Sequence, residues 1–177
     1  MNFRAHIQNI KYSLGLSERY CTQELYNKFN EYNKKYFNNE LPSIPIYIDN
    51  TISPVNGKFI SDINIENKMI VPVRILINKS NLINEQDLLD TFIHEMVHYL
   101  ECIKYQPSKE LWNKALEIYN DHQDHICGWK MDKIIDILMP FNGKKHSPKF
   151  KELCHTLNLK YPELNLRTCF EGPRLLK

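Results

Sequence analysis

The chain has 177 residues and a formal net charge of +2, and 42% of its residues are hydrophobic. This length suits one domain with a real core and leaves little room for two, while the composition excludes a disordered chain. No stretch approaches the roughly 20 consecutive apolar residues of a membrane-spanning helix, and the N-terminus has no signal-peptide pattern. The five cysteines form no Cys-x-x-Cys pair, which excludes a zinc ribbon made by this chain alone. We therefore expect a cytoplasmic protein with reduced thiols (in the host cytoplasm, if the source is viral).

The first half of the chain predicts one helix and a small sheet. Residues 1–16 show no clear pattern and form an N-terminal segment, whereas residues 17–37 carry apolar side chains at helical spacing. Three short strands are predicted after this helix, at residues 44–49, 58–63 and 69–77. Pro72 predicts that the third strand lies at an edge or carries a bulge, because proline cannot donate a backbone hydrogen bond. The strands are expected to form an antiparallel or mixed sheet.

The second half of the chain is mostly helical. Asn84 is a good N-cap, Pro140 stops a helix, and Pro148 fits the first position of one. Residues 121–128 are polar and predict a loop. Helices are predicted at residues 84–105, 109–119 and 131–139, and from residue 147 onward. This order of elements predicts a single domain of the α+β class.

The helix predicted at residues 84–105 contains the sequence His94-Glu95-Met96-Val97-His98. Two histidines four residues apart stand one helical turn above each other, so their imidazoles can bind the same cation. Glu95 is turned aside from that cation, where it can accept a proton from a water molecule. The apolar residues of 88–100 fill the opposite arc, which gives the helix a packed back and a histidine-bearing front. This H-E-x-x-H pattern is the signature of a zinc hydrolase.

A zinc site of this kind needs a third protein ligand, and the sequence offers three possibilities. Glu117 follows the motif on a predicted helix, which is the arrangement of the thermolysin-like, glutamate-ligand peptidases. His122 and His125 lie three residues apart in the predicted polar loop. His146 follows a predicted tight turn and precedes the last helix. Spacing alone leaves these alternatives open.

Two segments near the N-terminus make the chain resemble a known family. LYNKFN (25–30) and YFNNELP (36–42) look like the opening helix and the Leu-Pro exit of SprT-like (Spartan-type) zinc metallopeptidase domains. That family continues with short strands, an H-E-x-x-H helix, and a third histidine followed by Gly-x-x-Phe. This chain has the same elements in the same order, with His146 and Phe150 in the last motif. The resemblance covers roughly residues 22–159.

The resemblance carries expectations for fold, site and substrate. It implies a zincin-like domain over residues 17–165, in which the small sheet packs with the N-terminal helix and the H-E-x-x-H helix. It implies one Zn²⁺ ion bound by His94, His98 and His146, with Glu95 as the catalytic glutamate. It also implies an intracellular endopeptidase that cuts DNA-associated or DNA-crosslinked proteins, and therefore a role in DNA–protein crosslink repair.

The chain departs from the family's pattern in three places. Ser147 stands where the family usually has glycine. The interval between His98 and His146 is longer than expected, so residues 106–140 are predicted to form a helical insertion. The cysteine-rich zinc ribbon that often follows the domain is missing, and residues 166–177 are predicted to form a tail.

Positive charge is concentrated near the end of the chain, where residues 142–177 carry eight Lys or Arg against three Asp or Glu. Four lysines adjoin His146 and would contact DNA phosphates without reading sequence, namely Lys144, Lys145, Lys149 and Lys151. The expected partners are therefore protein substrates and DNA, with no membrane. Two other functions fit the motif: a glutamate-ligand peptidase unrelated to DNA, and a zinc-stabilised binding module without activity.

Overall fold

The computed structural model describes residues 23–52, 54–82, 84–120, 128–139 and 146–167. The predicted N-terminal segment, residues 121–127 of the predicted loop and most of the predicted tail lie outside these ranges. Within them, the strands are β1 (Ile46–Ile48), β2 (Gly57–Asn64) and β3 (Met69–Ile77), and the helices are α1 (Gln23–Phe37), α2 (Glu85–Lys104), α3 (Lys109–Asn120), α4 (Gly128–Leu138) and α5 (Pro148–Lys160). The predicted α+β class and the three-stranded sheet are confirmed.

The sheet is mixed, with the strand order β1-β3-β2. β1 runs parallel to β3 and pairs with its last three residues, so that Ile46 lies opposite Ile75. β2 runs antiparallel to β3 along its whole length, from Gly57 opposite Ile77 to Asn64 opposite Met69. β3 is therefore the central strand, and β2 has no strand on its other side among the described residues.

Pro72 lies at an irregularity in the central strand. Ile60 pairs with Arg74 but the next residue, Ser61, pairs with Pro72, so that Val73 is the extra residue of a β-bulge. The bulge predicted from Pro72 is confirmed. β3 is not an edge strand, and it tolerates the proline because β1 pairs only with Ile75 to Ile77 and leaves this part of β3 without a second neighbouring strand.

Gln106 takes the place of a neighbouring strand where β1 does not reach. Its side-chain oxygen accepts a hydrogen bond from the backbone N–H of Ile70 at 2.7 Å, and its Nε2 donates to the Ile70 carbonyl at 3.0 Å. Nε2 also donates to the carbonyl of Cys102 in α2. Since buried backbone groups are costly to leave unpaired, this amide fastens the end of α2 to the sheet.

The buried side chains divide into two clusters. The main core is formed by the buried residues of α1, β1, α2 and α5 together with Ile75 and Ile77 of β3. The second core lies between α3, α4 and β3, and consists of Ile70, Trp112, Ala115, Ile134 and Leu138. No helix in the described ranges combines the length and the apolar composition that a membrane-spanning helix requires.

Helix α2 begins and ends where its sequence predicts. The Asn84 side chain accepts a hydrogen bond from the N–H of Asp87, which satisfies one of the free donors at the helix start. Phe92, Met96 and Val97 are fully buried on its back face. Each such side chain stabilises the fold by about 1.5–3 kcal/mol, so the main core holds α2 rigidly beneath the histidines.

Candidate metal centre

Three histidines converge at one point of the structure. His94 and His98 come from α2, and His146 lies just before α5. One ring nitrogen of each lies within 4.8 Å of the others, and the Nε2 atoms of His94 and His146 are 3.1 Å apart. This is the only group of histidine, cysteine, aspartate or glutamate side chains with metal-binding spacing within the described ranges.

The spacing of these nitrogens can be compared with that of a bound ion. Two imidazole nitrogens bound tetrahedrally at about 2.0–2.1 Å would lie about 3.3–3.4 Å apart. The observed 3.1 Å between Nε2 of His94 and Nε2 of His146 is close to this value. Three neutral imidazoles suit zinc and several other divalent transition metals. His94, His98 and His146 therefore lie close enough together to bind one metal ion.

Phe150 packs against all three imidazoles. Its ring stacks on His98 with centroids 4.0 Å apart and on His146 at 4.2 Å, and it meets His94 edge-on at 4.9 Å. Phe150 is completely buried in the main core. Because it lies on α5 while His94 and His98 lie on α2, this ring joins the two elements that carry the histidines.

The hydroxyl of Ser147, the residue directly after His146, takes part in two hydrogen bonds. It accepts a hydrogen bond from the N–H of Phe150 at 2.9 Å and so caps α5. The same hydroxyl donates to the Glu101 carboxylate on α2. The other oxygen of Glu101 lies 3.8 Å from Nδ1 of His98, which leaves Nε2 of His98 for a metal. Ser147 thus connects α5 to a carboxylate beside His98.

The surroundings of His94 and His98 keep both rings neutral. Burial, together with the neighbouring His98 and His146, lowers the pKa of His94 to about 3. Burial also lowers the pKa of His98, although Glu101 acts in the opposite direction. A metal binds only the neutral imidazole, so these two rings are in the binding form at neutral pH.

Glu95 follows His94 on α2, and its carboxylate is buried against β2. The backbone N–H of Phe59 donates to its carboxylate at 2.6 Å. Burial raises the pKa of Glu95 to about 8, while the bond from Phe59 and the charge of Lys58 lower it. A Cβ at Gly57 would lie 2.9 Å from Oε1 of Glu95 and 2.8 Å from Thr91, so only glycine leaves room for this carboxylate. The sequence indicated a turn at Gly57 and did not reveal this contact.

Of the alternative third ligands, only Glu117 lies in the described residues, and it is not brought to this site. Glu117 is exposed on α3 and does not belong to the histidine cluster. The buried residues of that helix, Trp112 and Ala115, lie on the face that packs into the second core. His122 and His125 lie outside the described residues.

The basic residues predicted to contact DNA are described only in part. Lys149 forms an ion pair with Glu152 at 2.8 Å and lies over the ring of Tyr105. Lys151 is exposed on α5. Lys144 and Lys145 lie outside the described residues.

No protein-family model matches the chain, and a search of curated proteins finds no match either. The resemblance to SprT-like domains therefore rests on the segments and motifs quoted above. The geometry of the histidines is independent of that resemblance, because it follows from the packing of α2 against α5.

Proposed function

We propose that the protein is a zinc-dependent endopeptidase of the SprT-like type, with His94, His98 and His146 as metal ligands and Glu95 as general base. The observation that carries this proposal is the convergence of three imidazoles, two of them on the helix that also carries the buried carboxylate of Glu95. A site that holds zinc for structure alone is normally closed by a fourth protein ligand. Among the described residues only the three histidines converge and no fourth ligand joins them, which favours a catalytic role.

When bound, the ion would polarise the scissile carbonyl group and activate water. Glu95 accepts the proton of the attacking water and then donates it to the leaving amine. In the metal-free protein the pKa of this carboxyl group lies near 8, so it binds a proton readily, and the charge of a bound cation would lower that pKa and favour the carboxylate form that accepts the proton. The hydrogen bond from the N–H of Phe59 fixes the carboxylate in place during this exchange.

The DNA-associated substrate class is a further part of the proposal. Its support is the net positive charge of residues 142–177 and the position of Lys151, exposed on α5 a few residues beyond His146. Such lysines contact phosphates without sequence preference. The glutamate-ligand alternative has no comparable support, because Glu117 lies away from the histidines.

Cleavage of a permanently unfolded protein by the zinc-loaded chain tests the proposal. Glu95→Gln is expected to lower the rate by at least about 100-fold, the usual effect of a general base, and to leave the zinc content unchanged. Glu117→Gln is the matched control and is expected to cleave at the rate of the unchanged chain. An unchanged rate for E95Q contradicts the catalytic role. If added duplex DNA does not alter the rate, the DNA-associated part is wrong and the peptidase assignment stands.

A further inference from the structure

Residues 161–167, which we call the strap, leave the end of α5 and lie against the first half of α2. The side-chain amide of Gln86 donates to the carbonyl of Glu163 at 2.9 Å. One helical turn later, the carboxylate of Asp90 accepts a hydrogen bond from the N–H of Asn165 at 3.0 Å. The strap therefore runs in the same direction as α2, toward the metal centre.

The spacing of these contacts is that of an extended chain laid along a helix. The strap advances two residues while α2 advances four. Two residues of extended chain cover at most about 7 Å, and four residues of helix rise about 6 Å. The same register brings Arg167 to His94, and the backbone of Arg167 forms a hydrogen bond with the His94 ring. This bond favours the protonated ring, so the group that accepts it is the carbonyl oxygen of Arg167.

The strap is also held by the main core and by α5. Leu164 and Leu166 are buried in the main core and Asn165 between them is exposed, which is the alternation of an extended segment. Asn158 of α5 binds both backbone groups of Leu166. Its Nδ2 donates to the carbonyl and its Oδ1 accepts from the N–H, each at 3.0 Å. The residue directly before Arg167 is therefore fixed in place.

The strap bears on which nitrogen of His94 can bind a metal. Nε2 of His94 lies 3.1 Å from Nε2 of His146, so Nε2 is the atom that faces the metal position. A neutral imidazole carries one proton, and a metal binds the nitrogen that lacks it. A carbonyl that accepts a hydrogen bond from Nδ1–H keeps the proton on Nδ1 and orients the ring.

We propose that the strap positions His94 for metal binding, with the carbonyl of Arg167 accepting a hydrogen bond from Nδ1 of the ring. Asp90 and Asn158 are then positioning residues, because they hold the strap and act on the metal only through it. This inference rests on the metal ligands of the proposed function and is independent of its peptidase activity. It also extends the functional domain past residue 165, the boundary expected from the sequence.

Zinc affinity of two matched asparagine variants, measured by competition with a chelator, tests this inference. Asn33 of α1 binds both backbone groups of Leu41, eight residues later, just as Asn158 binds Leu166. Asn158→Ala is expected to weaken zinc binding by about tenfold or more, because a support of one ligand is lost. Asn33→Ala removes the equivalent hydrogen bonds outside the strap and is expected to bind zinc like the unchanged chain. Equal zinc affinities in these two variants would overturn the proposal.

Two variants of Asp90 separate positioning from charge. Asp90→Ala removes the acceptor for the N–H of Asn165 and is expected to weaken zinc binding by about tenfold. Asp90→Asn removes the charge but keeps an oxygen acceptor, and is expected to retain the affinity. If D90N loses as much affinity as D90A, the charge causes the loss and the positioning role of Asp90 is wrong. Thermal unfolding midpoints confirm that each variant is folded.

The tautomer of His94 provides a readout that requires neither metal nor catalysis. In the metal-free protein, long-range proton–nitrogen NMR correlations are expected to show the ring proton on Nδ1. Asn158→Ala is expected to shift the population toward the Nε2–H tautomer, whereas Asn33→Ala leaves it unchanged. A proton on Nε2 in the unchanged chain would overturn the inference even if that chain binds zinc and cleaves protein. If the proton is on Nδ1 but no zinc binds, the proposed function fails while the strap contact is retained.

Discussion

The main core and the second core differ in what they position. The main core packs α2 against α5 and supports every residue of the candidate metal centre. The second core packs α3 and α4 on Ile70 of β3, and no member of the histidine cluster belongs to these helices. His94 and His146 are 52 residues apart, and the ring of Phe150 on α5 packs against both of their imidazoles. The candidate metal centre thus depends on the main core, while the second core holds α3 and α4 on the sheet.

Removing the ring that joins the two histidine-bearing elements should have the largest effect. Phe150→Ala is expected to lower the free energy of unfolding by about 3–5 kcal/mol, because it empties a fully buried position. It should also weaken zinc binding by about 10–100-fold, since all three imidazoles lose their packing. Denaturant titration of the metal-free protein and competition with a zinc chelator measure the two effects.

Trp112→Ala provides the comparison in the second core. It should cost about 3 kcal/mol of stability, because Trp112 is also buried, and leave zinc affinity unchanged. If W112A releases zinc as readily as F150A does, the two cores are not independent and the comparison between them fails.

Glu95→Gln should have an intermediate effect on stability. Unlike the two core substitutions, it should make the protein more stable relative to the unchanged chain as the pH rises. Burial raises the pKa of Glu95 to about 8 from an ordinary value of 4.5. Between these pH values the folded metal-free protein therefore holds a proton that the unfolded chain has released. Stability should therefore decrease as the pH rises from about 5 to about 8, by on the order of 3 kcal/mol relative to E95Q. The contributions of the histidines cancel in this difference. The free energy of unfolding of both proteins is measured by denaturant titration at several pH values. If it changes with pH in the same way for both, the burial of this carboxylate is contradicted.

Replacing the capping serines should have the smallest effect and should distinguish the two regions. Ser147→Ala removes the cap of α5 and the anchor of Glu101, at a cost of about 1 kcal/mol in stability and about tenfold in zinc affinity. Ser108→Ala is the matched control, because its hydroxyl accepts from the N–H of Leu111 at the start of α3. It should lower stability by a similar amount without changing zinc affinity. Equal zinc affinities for S147A and S108A would show that Ser147 does not position the site.

Features that depend on local sequence were predictable. The ends of α2 follow from Asn84 and the apolar periodicity, and the start of α5 follows from Ser147 and Pro148. The bulge at Pro72 follows from the missing N–H of proline. Each of these signals is contained within a few residues of the chain.

Features that depend on tertiary contacts were not predictable from spacing. The pairing of β3 with both other strands, the contact of Gly57 with Glu95, and the bond between Ser147 and Glu101 each join distant parts of the chain. The choice of His146 over Glu117 came from the family resemblance. Helical spacing alone could not show that α3 presents Glu117 to solvent, away from the histidines.

Zinc stoichiometry of two histidine variants tests the central claim most directly. His146→Ala removes the ring whose Nε2 lies 3.1 Å from that of His94, and His155→Ala removes an exposed histidine on α5. Metal analysis after dialysis against a weak chelator should find one zinc ion per chain in the unchanged protein and in H155A, and none in H146A. Retention of one zinc ion by H146A with unchanged affinity would contradict the account.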